Sequence, residues 1–583
     1  MIKKMQYIGA LGILLFSTMA NAQIKEEKLI LKRKRVPEVK KIEKKKTSVD
    51  VIKDYPKEEK SKNPVRYQIT DVPVSSDFQT SIIMGEDVSP VLEQHHQNNY
   101  IRLGAGNYGK ILGDAYATYS INKKNEIGLD AHYLSTSGLK KDYDWKSNQM
   151  RFGVAGFVNH YAKTGKVNLT AKYQDNKYQY YGIYARDIQP RGDLQQNFNV
   201  FGAEVSYDHY SNEILNDIYL KTNFLKDHFK ANETNINFGV NLSKPKLSFN
   251  NFVFDSDLSL DLQTVNTNFD IESKNTNAYL KLNVAPLFSF KKNEWNVKLG
   301  SDFTFLNHQF SNANINENKS TRLYWFPKVE VEFAKNEYFK VFGGVDGNLN
   351  LNTYQGLLNE NPYVLSNQIL KPTNTKYHLY GGLRGDWEET FKYEISANFS
   401  QIEDISFFKA NSPVDYITNQ VGGDEVAAYD LGNSFSVAYD DAKLFQLKGA
   451  MTYFPMENLA IEGDLSINQY TLKNYNKILN KPFIESGIGA KYRLLSSKLL
   501  LGTKAFFAFD RTTNAFYYTN TIQENAYENL GNYIDFNLSA EYNIYKNFSI
   551  FAIGNNLLNR KYQIYRGCKV LGAQILGGLK YTF

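Results

Sequence analysis

The stretch Lys569-Val570-Leu571-Gly572-Ala573-Gln574-Ile575-Leu576-Gly577-Gly578-Leu579-Lys580-Tyr581-Thr582-Phe583 decides the fold. On an extended chain Ala573, Ile575, Gly577, Leu579, Tyr581 and Phe583 share one face. Gly572, Gln574, Leu576, Gly578, Lys580 and Thr582 share the other. Period two marks a strand whose faces meet different surroundings. The sequence ends on Phe583, with a second aromatic, Tyr581, two residues earlier. At the edge of a soluble sheet such a strand is an aggregation hazard, whereas closing a barrel removes the edge altogether. We therefore expect Lys569 to Phe583 to form a single closing strand.

The alternation recurs from Asn99 onward. Val329, Val331 and Phe333 oppose Glu330 and Glu332. Leu459, Ile461, Gly463, Leu465 and Ile467 oppose Ala460, Glu462, Asp464, Ser466 and Asn468. Ile534, Phe536, Leu538, Ala540 and Tyr542 oppose Asp535, Asn537, Ser539 and Glu541. The longer runs match the roughly 9–11 residues of a tilted membrane strand. Short polar turns are expected near Lys123-Lys124, Thr164-Gly165, Asn212-Glu213, Pro245, Lys292-Asn293, Lys335-Asn336, Glu388-Glu389, Glu457-Asn458, Ser496-Ser497 and Lys546-Asn547. Long loops are expected over Ser135–Asn148, Tyr178–Asn197, Leu306–Ser320, Asn350–Thr375, Gln401–Ala427 and Arg511–Gly531. Short turns at one end and long loops at the other are the asymmetry of outer-membrane barrels. About ten turns plus two termini on the same side imply about 22 strands, a size whose lumen is normally plugged. The expected fold is thus all-β: a large antiparallel transmembrane β-barrel over 99–583. A large secreted all-β protein is the alternative.

Composition agrees. Aromatic residues make up 14% of the chain (42 Tyr, 38 Phe), yet mean hydropathy is only -0.47. Half-apolar strands and aromatic girdles produce that combination; helical membrane spans do not. Lys3 and Lys4, the apolar run Ile8–Met19 and Ala20-Asn21-Ala22 read as a signal peptide over 1–22, leaving Gln23 as the mature N-terminus. The expected location is the outer membrane, with lipid as one partner and nucleic acid excluded by export. Cys568 is the single cysteine, so an intramolecular disulfide is impossible.

Residues 23–66 form a basic, low-complexity arm with few core-building residues, expected to be disordered in the periplasm. Lys32, Arg33, Lys34, Arg35, Lys44, Lys45 and Lys46 concentrate its charge. The arm reads either as a tether for a periplasmic or outer-membrane protein partner or as a solvated linker. Residues 67–98 are transitional, with Glu86-Asp87 and His95-His96 as their clusters. Adjacent histidines on an extended chain point opposite ways, so no shared metal is expected.

No cofactor is expected either. The chain has no Gly-x-Ser-x-Gly elbow, no Walker loop and no His-Glu-x-x-His. His160, His209 and His308 lie singly along the chain, so no enzyme activity is expected. Glu330, Glu332, Asp535 and Glu541 read as polar lumen wall. Tyr178, Tyr180, Tyr181 and Tyr184 could stack on a sugar or peptide, or pack on one another in a loop or girdle.

Several stretches resemble a known family. The closing strand, with Leu579, Tyr581 and Phe583, is similar to that of bacterial outer-membrane barrels, where this end is read by the barrel-insertion machinery. Ile553-Gly554-Asn555-Asn556-Leu557-Leu558-Asn559-Arg560-Lys561-Tyr562 resembles the penultimate-strand ending of TonB-dependent receptors, especially those of Bacteroidetes. Leu357–Pro372, with Asn361-Pro362 and Leu370-Lys371-Pro372, resembles a mid-barrel loop of the same family. Val49, Val51 and Ile52, within Thr47–Ile52, resemble the short box through which such receptors engage TonB, a chance match being the alternative. The resemblance implies solute transport across the outer membrane. The family also carries a folded plug before its barrel, and 67–98 is too short for one. The expectation is a plugless relative, or one with a vestigial plug, in which TonB-driven import is doubtful. The second functional reading is a non-transporting scaffold or accessory subunit of an outer-membrane assembly.

Overall fold

The computed structural model describes residues 99–583 except 140–144, 184–193, 212–213, 250–251, 272–273, 313–314, 389, 414–428 and 516–525. The expectations placed on 1–98, including the arm, Val49, Val51 and Ile52, lie outside the described residues.

The first strands are β1 (Tyr100–Gly106), β2 (Lys110–Asn122), β3 (Asn125–Thr136), β4 (Gln149–Tyr161), β5 (Gly165–Gln179), β6 (Gln195–His209) and β7 (Leu215–Asp227). Longer strands follow: β8 (Asn232–Phe249), β9 (Phe252–Phe269), β10 (Asn275–Lys292), β11 (Trp295–Asn312), β12 (Ile315–Ala334), β13 (Lys340–Asn350), β14 (Thr373–Trp387), β15 (Phe391–Ala410) and β16 (Phe435–Met456). Then come β17 (Leu459–Leu472), β18 (Ile484–Leu494), β19 (Leu499–Phe509), a small pair β20 (Thr512–Asn514) and β21 (Tyr527–Asn529), β22 (Tyr533–Tyr545) and β23 (Phe548–Asn555). A second small pair, β24 (Gln563–Tyr565) and β25 (Cys568–Lys569), precedes β26 (Gln574–Thr582). Leaving out the two small pairs, twenty-two strands form one antiparallel sheet.

The sheet closes on itself. β1 pairs with β26 in the register Tyr100↔Thr582, Leu103↔Leu579 and Gly106↔Leu576. The Phe583 amide donates to the Asn99 carbonyl (2.8 Å). At the other end of this seam the Asn107 side chain donates to the Ala573 carbonyl (2.8 Å) and accepts from the Ile575 amide (2.9 Å). No edge is left at the seam, which is what a backbone in hydrocarbon requires.

The faces divide as the alternation demands. Leu579 is 60% and Leu323 73% exposed on the outside of the wall, whereas Leu576 and Phe551 are buried inside it. Aromatic rings crowd the outer rim at the short-turn end, as in the pairs Trp295–Phe333, Tyr338–Trp387 and Phe548–Tyr581. This is a closed barrel with a lipid-facing apolar belt and one aromatic girdle.

Eight of the ten expected turns fall on strand connections among the described residues; Asn212-Glu213 lies outside the described residues, and Pro245 is not at a connection. It lies inside β8, at a bulge between Lys244 and Leu247 where Lys246 takes φ 56°. Bulges are where a sheet tolerates proline. Leu306–Ser320 is also not a loop, because β11 and β12 pair through it as far as Asn312↔Ile315. Its polar residues stand above the apolar belt with water on the outer face, so the alternation that signals a strand is lost. β15 likewise continues to Ala410, into the expected loop Gln401–Ala427. The closing strand begins at Gln574 rather than Lys569, because Cys568-Lys569 fold back on Gln563–Tyr565.

Candidate functional site

The long-loop end of the lumen holds a hydrophobic core of its own. Its centre is the segment between β13 and β14, which turns into the barrel. Thr353 caps a two-turn helix, α1 (Tyr354–Glu360), by accepting from the Gly356 amide (3.0 Å). Tyr354, Leu357 and Leu358 recur at the spacing of one helical face, and all three are buried.

Loops from distant strands pack around this segment. Tyr178, Tyr180 and Tyr181, at and after the end of β5, place their rings edge-on or tilted against Tyr363 at 5.7–6.4 Å. From β16, Phe435 brackets the segment with two backbone bonds, Phe435 N to Tyr363 O and Leu365 N to Phe435 O (both 2.9 Å). The Asn433 side chain donates to the Tyr180 carbonyl (2.8 Å). Strands 5 and 16 are eleven apart in a ring of twenty-two, so they face each other across the barrel. Contacts linking them through Tyr363 therefore bridge the full diameter. The β24–β25 hairpin adds a third side. Tyr181 donates to the Lys569 carbonyl (2.7 Å), and Tyr565 donates to the Glu360 carbonyl (2.8 Å). Gly567, at φ 75°, approaches Gly182 so closely that a Cβ would lie 2.5 Å from the Gly182 carbonyl oxygen. Only glycine fits there.

Two wall carboxylates hold this lid. Glu233, at the start of β8, accepts from the Tyr354 and Gln355 amides (2.6 and 3.0 Å) and from Thr267 (2.7 Å). Asp227, at the end of β7, accepts from the Tyr354 hydroxyl (2.8 Å), Ser366 (2.5 Å), the Ala231 amide (2.8 Å) and Gln196 (3.3 Å). Further along, Tyr279 donates to the Leu370 carbonyl (2.6 Å), Asn275 to the Gln368 carbonyl (2.9 Å) and Tyr180 to the Val364 carbonyl (3.0 Å). A lid that carries its own buried backbone must satisfy it in this way. Burial drives the Tyr354, Tyr363 and Tyr565 hydroxyls well above their ordinary range, so they act as neutral donors or acceptors. It also pushes the Cys568 thiol up, which leaves that cysteine an inert packing group.

The tyrosine run is thus the loop-packing cluster and not an open stacking platform: Tyr180 and Tyr181 are 0% and 1% exposed. Tyr184 lies outside the described residues. Leu579, Tyr581 and Phe583 all lie on the lipid-facing side of the closing strand. The lumen charges brace strands that are adjacent or one strand apart, and one holds a loop tyrosine. Arg384 pairs with Glu332, Lys298 with Glu330 (3.1 Å) and Lys580 with Glu541 (3.0 Å), and Tyr562 donates to Asp535 (2.5 Å). The three single histidines are apart: His160 contacts Asn125, His209 contacts Ser211, and His308 stacks on Tyr279. Asp227 and Glu233 escaped the sequence reading. Each is one carboxylate at a strand end, and its lid partners lie more than a hundred residues away.

Solved structures share this fold. Among them are the ferric-catecholate import receptor Fiu from E. coli K12 (TM-score 0.62, 9% identity, 84% of this chain and 82% of that one). The FpvA–pyoverdine–iron complex of P. aeruginosa gives TM-score 0.61 at 11% identity over 83% of this chain and 71% of that one. The copper transporter OprC gives TM-score 0.58 at 12% identity over 83% and 80%. No family model and no curated protein sequence matches the chain. The resemblance to TonB-dependent receptors holds at the level of the fold, and the protein is an outer-membrane β-barrel.

Proposed function

We propose that the protein passes solutes across the outer membrane and that its own loops gate the lumen in place of a folded plug. The observation that carries this reading is the lid that joins β5 to β16 across the mouth. An open lumen of about twenty-two strands would breach the permeability barrier, and the inward loops meet that need within the chain. The lid is held by hydrogen bonds, packing and two ion pairs, Glu360–Lys481 (3.4 Å) and Lys371–Asp404 (3.1 Å), contacts that can be exchanged when a solute arrives. Fold likeness to receptors and transporters supports the same class of function.

One feature favours the scaffold reading. Lid contacts converge from most of the wall, as suits a permanently closed barrel serving an assembly. Planar-bilayer recordings separate the two. Under the gating reading the wild type is closed with rare openings, and replacing 355–368 by a Gly-Ser linker gives a large steady conductance. Silence from both proteins sinks transport and leaves the scaffold.

The other roles are proposals on the same footing. The arm with Lys32–Arg35 and Lys44–Lys46 is a periplasmic tether, and deleting Lys32–Lys46 should release a partner in pull-downs. TonB drive through Val49, Val51 and Ile52 is not part of the proposal, since a plugless barrel gives TonB nothing to pull. The Leu579–Phe583 end is the insertion signal, and removing Phe583 should lower the yield of assembled barrel.

A further inference from the structure

Between α1 and the wall strands β3 to β6 lies a cavity of about 180 Å³. That is the liquid volume of about six waters at ~30 Å³ each. Arg151, Gln174, Asn176 and His132 line it. So does Tyr178, which is 4% exposed and whose hydroxyl has no hydrogen-bond partner. The Arg151 guanidinium also has no hydrogen-bond or ion-pair partner among the described residues. Lys177, the other cation of the lining, is tied to Asp175 (3.3 Å). Among the described residues no residue of the lining carries a carboxylate, and Asp227, the wall acid of the lid, is engaged by four donors. The rest of the lining is mixed: Phe198 from the wall and Leu358 and Pro362 from the lid give it an apolar part, beside the polar Asn359 and Gln149, whose amide donates to the Tyr363 hydroxyl (3.2 Å).

A planar guanidinium fork with no acid opposite it among the described residues matches a carboxylate in two parallel hydrogen bonds. A buried hydroxyl without a partner is costly, and a ligand oxygen would satisfy it. The geometry points to a binding site for a small organic carboxylate, held by Arg151 and Tyr178 with its apolar body against Phe198, Leu358 and Pro362. The proposal uses the lid as one wall of the site but does not require the lid to open. A ligand that touches both lid and wall biases the lid by its differential affinity for the open and closed states.

Calorimetric titration of the full-length barrel in detergent tests it, with benzoate as probe and uncharged benzyl alcohol as control. Benzoate should bind saturably and benzyl alcohol far more weakly. Arg151→Gln should weaken benzoate binding by ~10–100-fold, and Tyr178→Phe by ~3–10-fold. Both variants should keep the heat-dependent gel mobility of the wild type. Without benzoate, Tyr178→Phe should also make the lid more resistant to protease, because the unpaired hydroxyl is gone; a merely structural hydroxyl would act the other way. No saturable benzoate binding by the wild type overturns the proposal. Equal binding by Arg151→Gln, or equal binding of benzyl alcohol, overturns it too. The titration reads the closed protein, so a barrel that never conducts leaves its outcome unchanged.

Discussion

The two ends of this barrel use aromatic residues in opposite ways. At the short-turn end Trp387, Tyr545 and Phe548 point outward and are 50–67% exposed. At the long-loop end Tyr180, Tyr354 and Phe435 point inward and are fully buried. The difference lies in the solvent, since the residue types are the same. Lipid tails are about as apolar as the side chains, so the outward rings gain little by burial against protein. The inward rings leave water on folding, which is the ordinary hydrophobic driving force. The wall is therefore held by its closed ladder of backbone bonds, and the lid is held by packing, as in a small soluble domain built inside the wall.

Substitutions can break this contrast. Tyr354→Ala removes a buried ring and its bond to Asp227. It should cost the lid about 3–5 kcal/mol. Hydrogen exchange over 351–372 should accelerate strongly while heat-dependent gel mobility of the barrel stays unchanged. Joint loss of both would mean that lid and wall are one unit. Ile395→Arg places a charge within the lipid-facing belt and should cost the wall about 2–4 kcal/mol in unfolding titrations, with lid exchange untouched.

Smaller effects sharpen the picture. Glu233→Gln keeps shape but presents an amide where three donors converge. A loss of about 1–3 kcal/mol, confined to the lid, is expected from local exchange rates. Trp387→Ala, on the girdle, forfeits its contact with Tyr338 and should change barrel stability by about 1 kcal/mol or less. If it matched Tyr354→Ala, the division between the two ends would be wrong.

How much was legible follows the same division. Where lipid lies outside and water inside, period two appears in the sequence, as in Leu459–Asn468 and Ile534–Tyr542, and strands and turns can be counted. Above the belt the outer face is polar and the inner face is mixed, with Leu306 and Phe310 buried beside His308, so β11 and β12 continue through Leu306–Ser320 without a clear signal. Pro245 imitates a turn because a bulge and a turn ask for the same residue. The tyrosines at 178–181 stood out as a cluster, but what they pack against did not. Asp227 and Glu233 carried no mark at all.

By itself the sequence determined the antiparallel wall, its strand number to within about two and the lipid-facing side of its clearest strands, because strand pairing between neighbours and a two-residue period are local properties. Only the tertiary structure decided that Leu351–Pro372 enters the barrel and joins Tyr180, Phe435 and Tyr565. Its anchors lie 121 residues away at Glu233 and 205 residues away at Tyr565. A loop without periodicity gives no sign of which distant side chains will exclude water from it.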